Sequence, residues 1–172
     1  MSVTEASLIA AIARDESSRL VYADWLEEQG ETARAEFLRL QQALVGPPPL
    51  DDAGRAVFKR RSARLRALAL TIDPGWRAKV ARPMVEACGA HFDFTCPMAW
   101  SELAETADPK VRACGLCEEK VYYCTSLEEA RKHAWARRCV VVDITVERRP
   151  YDLARRKTTG MMVALPQLDP DD

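Results

Sequence analysis

The sequence predicts an α+β protein, with an N-terminal helical module followed by a small mixed sheet-plus-helix domain. Three observations carry that prediction. Apolar residues recur at three- and four-residue spacing as far as Ile72. Runs of strand-forming residues gather after position 90, around one further helix. All six cysteines fall between Cys88 and Cys139, and they include one Cys-x-x-Cys pair. At 172 residues, 48% hydrophobic and 30% charged, the chain can bury a core, which excludes wholesale disorder.

Three helices account for the first 45 positions. Ser2 with Glu5 reads as a capping box, and Leu8, Ile9, Ile12 and Ala13 then form one apolar face. The polar run 14–18 breaks the pattern. A second helix carries Val21, Tyr22, Trp25 and Leu26 on one side and stops at Gly30. A third, over 32–45, buries Phe37, Leu40 and Leu44. Gly46-Pro47-Pro48-Pro49 cannot continue it.

The run Leu20-Val21-Tyr22-Ala23-Asp24-Trp25-Leu26-Glu27-Glu28-Gln29-Gly30, with Arg34-Ala35-Glu36-Phe37-Leu38-Arg39-Leu40-Gln41, resembles the bacterial repeat-companion domain. That helical module opens many paralogous proteins, often ahead of leucine-rich repeats. The resemblance covers about the first quarter of the chain, and Asp73-Pro74-Gly75-Trp76 is similar to a more distant part of it. It implies an architecture, residues 1–46, and a bacterial origin. It implies no catalytic residue, and no leucine-rich repeat follows here.

A proline linker and a basic helix make up residues 47–82. Phe58, Leu65, Leu68 and Ile72 share one sector of a helix over 54–70, and Asp73-Pro74-Gly75 is a turn signal. The chain's net charge of −1 conceals a strong asymmetry. Residues 55–82 hold nine bases against the single acid Asp73, whereas 1–46 carry −4 and 83–172 carry −3. Arg55, Lys59 and Arg66 lie together on the wheel with Arg60 and Arg64 nearby, which makes these five the candidates for contacting nucleic-acid phosphates. Against that reading, the bases spread round the helix and no stacking aromatic is interleaved. A solvated face packed against the acidic N-terminal helices is the favoured alternative.

From a boundary near Pro83 to residue 165 the chain mixes strand and helix. His91-Phe92-Asp93-Phe94-Thr95 alternates like a strand, and Lys120-Val121-Tyr122-Tyr123 is rich in strand formers. Residues 139–146 form the clearest strand. Ser126 with Glu129 makes a second capping box, opening a helix to Arg138 with Leu127, Ala130, Ala134 and Trp135 inward. Residues 160–165 read as an edge strand and 166–172 as a mobile acidic tail.

Cys114-Gly115-Leu116-Cys117 has the spacing of a metal knuckle, in which a turn aims both sulfurs at one centre. With 111–113 and 120–123 as the arms of a hairpin, the knuckle is its tip. Cys124 then lies about 20 Å from Cys117 at strand rise, too far to share an ion. The helix ending at Arg138 spans about 18 Å, enough to return the chain to that tip, so Cys139 starts its strand beside the knuckle. Cys96, in a turn with Pro97, completes the set. The expected zinc ligands are therefore Cys96, Cys114, Cys117 and Cys139, with His133 and Cys124 as rivals and Cys88 and Cys124 read as core thiols. Four thiolates would make the site structural. The plain alternative is a set of buried thiols packing as small apolar side chains.

The pattern Phe94-x-Cys96-Pro97-x-x-Trp100, Val111-Arg112-x-Cys114-x-x-Cys117-x-x-x-Val121-Tyr122-x-Cys124, His133 and Cys139-Val140 also resembles a small uncharacterised cysteine-rich, zinc-ribbon-like bacterial domain. The resemblance implies no activity. A thiol–disulfide oxidoreductase at Cys114–Cys117 would need the first cysteine at a helix N-terminus. Strand-like residues follow instead, and Glu118 and Glu119 should raise a thiolate's pKa. No phosphate loop or nucleophile–base spacing appears, and no small-molecule substrate is evident. No stretch reaches the roughly eighteen apolar residues of a membrane span, and 1–5 do not read as a secretory leader. The expectation is a cytoplasmic, non-catalytic zinc-binding scaffold or adaptor with a protein partner, the alternative being a nucleic-acid-binding protein.

Overall fold

The computed structural model describes residues 4–87, 96 and 98–154. Ser2, Cys88, the strand expected over 91–95, Pro97, the edge strand expected over 160–165 and the tail at 166–172 lie outside those residues. The described residues form six α-helices and a four-stranded mixed sheet, an α+β fold with the helices first. None of these helices is long and apolar enough to cross a membrane.

Helices α1 (Glu5–Arg14), α2 (Ser18–Glu28), α3 (Thr32–Ala43) and α4 (Asp52–Ala69) pack consecutively. Thr4, not Ser2, caps α1: its side chain accepts the Ser7 N–H, while the Ser7 hydroxyl accepts the Thr4 N–H. Tyr22, Ala23 and Leu26 are fully buried. Val21, expected beside them, is 60% exposed. Arg19 takes the inward place, fully buried and donating to Gln41 Oε1 (2.6 Å) and the Val80 carbonyl (3.0 Å). The basic helix α4 begins two residues before its expected start because the Asp51 carboxylate accepts the Gly54 N–H and caps it.

Asp73-Pro74-Gly75 proves to be a helix start as well as a turn. Asp73 caps the Trp76 N–H (2.8 Å), Pro74 occupies the first turn where no N–H is needed, and α5 runs Pro74–Lys79. Its side chains are divided between two cores. Trp76 closes the helical core with Leu8, Tyr22, Leu26, Phe37 and Leu65. Ala78 belongs to a second core with Val85, Cys96, Trp100, Cys114, Val121 and Cys139.

The sheet holds β1 (Ala104–Glu105), β2 (Val111–Ala113), β3 (Lys120–Cys124) and β4 (Cys139–Val142), in that order. The first three run antiparallel. β4 lies parallel to β3, reached through α6 (Leu127–Trp135). Beyond β4 the backbone of 84–86 adds bridges to Val140 on one side and Ala99 on the other. β4 is four residues shorter than expected. Asp143 ends it by accepting the Thr145 N–H (2.8 Å) and hydroxyl (2.6 Å), which turns the chain. Trp135, expected inward, is half-exposed, because α6 stops there and Ala136 caps it.

Candidate metal centre

The hairpin between β2 and β3 sets the geometry of the knuckle. Its register pairs Val111 with Tyr122, Arg112 with Val121 and Ala113 with Lys120. One step further, Cys114 N–H donates to the Glu119 carbonyl (2.9 Å), and Glu118 N–H returns to the Cys114 carbonyl (2.8 Å). Glu118 takes a left-handed φ of 59° to close this loop. The bend turns backbone N–H groups inward, and the Cys114 sulfur accepts those of Leu116 and Cys117. Burial pushes the Cys114 thiol up, yet these bonds, with one from the Cys117 side chain, bring it below its ordinary value. The neighbouring acids were expected to raise it. The thiol is instead lowered, because donors in direct contact with sulfur outweigh burial, the one cause that raises it.

The other two cysteines of the expected set reach the same core by backbone pairing. Cys139 stands opposite Val121 in the parallel register, level with Arg112 at the knuckle end of the sheet. Cys96 precedes the segment whose Met98 carbonyl accepts the Val85 N–H (2.9 Å). The next residue, Glu86, exchanges two bonds with Val140, beside Cys139. Cys96, Cys114 and Cys139 are all buried, and Cys117 packs partly buried against their cluster. Three separate chain segments thus bring four sulfurs to one core.

Cys124 and His133 lie elsewhere. Cys124 ends β3 opposite Val142, at the far end of the strand from Lys120 and the knuckle, and packs with Ala130 and Val140. Burial, with the nearby Glu129 charge, pushes its thiol up to about 12, as expected of a core thiol. His133 stacks on Tyr122 with ring centroids 4.1 Å apart. Its Nδ1 is buried and makes no hydrogen bond. Burial, the Arg138 charge and the Lys132 charge hold the ring below its ordinary pKa, against Glu129. Donor atoms of Cys124, Glu129 and His133 all lie within 4.8 Å of one another, so this group could hold a metal ion. Glu129 is the member that sequence reasoning did not single out. Its capping role accounted for it there, although the spacing Glu129-x-x-x-His133 puts both on one helix face.

The basic candidates separate into engaged and open groups. Arg64 makes two bonds to the Glu36 carboxylate (2.8 and 2.6 Å), joining α4 to the acidic N-terminal helices. Arg55 is held by Asp52 and by the Leu50 carbonyl. Lys59, Arg60 and Arg66 stand exposed. No family model matches the chain, and no curated protein or solved structure is detectably similar to it.

Proposed function

We propose that the chain is a non-catalytic, zinc-binding scaffold in which Cys96, Cys114, Cys117 and Cys139 hold a structural zinc. The helical module and the sheet domain then present a joint surface to a protein partner. The observation that carries this reading is the Cys114 sulfur accepting two backbone N–H bonds at the tip of a hairpin. A turn that donates to sulfur stabilises a thiolate before any metal arrives, which is what a knuckle must do. Four thiolates would complete a tetrahedral shell and leave no position for substrate, so the ion would serve stability. Zinc when bound would supply cross-links between the 96 loop, the hairpin and β4 that the apolar cluster alone lacks.

A lowered thiol also suits a redox cysteine, but Cys114 is only 4% exposed, poorly placed to meet a substrate disulfide. The nucleic-acid alternative through Arg55, Lys59, Arg60, Arg64 and Arg66 has less support, since Arg55 and Arg64 are already committed to protein acceptors. Native mass spectrometry of protein purified without chelator tests the zinc reading. The expected result is a zinc ion that Cys114→Ser and Cys139→Ser each lose, with a fall in thermal stability. Zinc retention in both variants, or a metal-free wild type with a reducible Cys114–Cys117 bond, would overturn it.

A further inference from the structure

We propose that Cys124, Glu129 and His133 form a second zinc site, separate from the knuckle, with three protein ligands and one exchangeable position. The three donors lie within 4.8 Å of one another at the end of β3 and on the facing side of α6. Two independent features of the group point to a cation. The first is the His133 Nδ1 atom, buried and without a hydrogen-bond partner. A buried imidazole nitrogen loses its hydration and regains nothing here, a cost that a metal bond would remove. The second is the fixed orientation of each donor. The imidazole plane is set by stacking on Tyr122. The Glu129 carboxylate is anchored through Oε2 by the Thr125 N–H (2.8 Å) and hydroxyl (3.4 Å), which leaves its second oxygen for another ligand. Cys124 is fully buried, and its thiol donates to the Tyr122 carbonyl (3.5 Å), a bond that zinc would replace.

The donor set selects the ion by class. A thiolate with an imidazole suits a borderline-soft cation such as zinc, and excludes the oxygen-seeking magnesium and calcium. Among the described residues no fourth His, Cys, Asp or Glu joins the group, so water or a small anion would fill the remaining position. All three ligands come from ten consecutive residues, so forming the site closes only a short loop. On binding, the Cys124 sulfur, a Glu129 oxygen and the His133 nitrogen each form a bond to zinc and displace water from the hydrated ion. The thiol proton leaves to solvent and nothing is oxidised or reduced.

The experiment is zinc stoichiometry by native mass spectrometry on the full chain, comparing wild type, Cys114→Ser, His133→Gln and Cys124→Ser. Cobalt substitution of the Cys114→Ser protein provides a second readout. The expected result is one zinc that His133→Gln and Cys124→Ser lose and Cys114→Ser keeps. Cobalt should then give a thiolate charge-transfer band that vanishes when Cys124→Ser is added. Because Cys124 is buried and its variant can misfold, the half-buried His133→Gln is the deciding change, with circular dichroism as the folding control. Equal zinc in wild type and a folded His133→Gln protein overturns the proposal. A single zinc lost only in Cys114→Ser overturns it while leaving the knuckle standing, and the reverse pattern removes the knuckle and keeps this site.

Discussion

At the scale of single residues, the most consequential side chain is Asp143, 1% exposed and four times an acceptor. Arg77 Nε donates to its Oδ2 (2.9 Å), as does the Tyr123 hydroxyl, and Thr145 supplies two bonds to Oδ1. Burial pushes this carboxyl up, but the bonds from Arg77, Thr145 and Tyr123 outweigh burial and hold it below the usual carboxylate range. A folded-state pKa below the unfolded value near 4 contributes stability that is present above about pH 4 and lost as pH falls through the folded value. Asp143→Asn should therefore destabilise the protein at neutral pH by about 2–4 kcal/mol, because it leaves the Arg77 cation buried beside an amide. It should also flatten the acid limb of stability. Urea melts of both proteins at pH 7 and pH 3 check this, and parallel pH profiles would refute the assignment. Nothing in the sequence marks Asp143, which follows the run Val140–Val142 like any strand-ending acid. Its partner Arg77 lies 66 positions away, and a pairing at that distance leaves no local pattern. The turn that holds Cys114 and Cys117 is legible for the opposite reason: it is local, lying between two adjacent paired strands.

At the scale of elements, boundaries are decided by caps: Gly30 reads as a stop in the sequence, whereas the acidic caps Asp51 and Asp73 do not read as helix starts. Helix α2 stops in the left-handed motif that Gly30 permits. Its φ is 81°, its N–H donates to the Glu27 carbonyl (2.9 Å), and the Glu31 N–H reaches back to Leu26 (2.8 Å). A Cβ built at Gly30 would meet nothing within 4 Å. Gly30→Ala should thus cost about 1 kcal/mol from backbone strain alone. Thermal melts should show that loss, whereas a neutral effect would mean that the α2–α3 turn relaxes. The elements the sequence concealed are short ones that tertiary contacts stabilise. The two-residue β1 and the six-residue α5 are too brief for periodicity to register. Val21, expected inward, lies outward, while Arg19 is buried because it finds two acceptors inside, which a hydropathy pattern does not anticipate. Polar contacts also tie the N-terminal helices together. Trp76 donates to the Tyr22 hydroxyl (2.8 Å), which donates to Glu5 (2.6 Å), and Arg39 ties Asp24 and Glu27 together across the α2–α3 pair.

At the scale of the whole molecule, α5 joins two cores through three consecutive residues. Trp76 faces the helices, and Ala78 faces the sheet, where its carbonyl accepts the Trp100 indole N–H (2.6 Å). Arg77 lies between them, donating to the Ala69 and Ile72 carbonyls at the end of α4 and to Asp143 after β4. Further contacts cross the same line: Arg82 pairs with Glu16, and Arg112 donates to the Lys79 carbonyl at the end of α5 (3.4 Å). Part of the basic segment's charge is thereby paired within the chain, on Glu16, Glu36 and Asp143. Two cores connected in this way should unfold together. In wild type, the helical circular dichroism and the reactivity of the buried Cys139 thiol should therefore change at one denaturant midpoint. Arg77→Met removes the shared donor and strands Asp143 and two carbonyls, a loss of about 3–5 kcal/mol. If the coupling runs through that guanidinium, the two midpoints separate in the variant, with thiol exposure preceding loss of helix. If they shift together, the packing of Trp76 and Ala78 suffices to couple the cores, and Arg77 contributes stability without cooperativity.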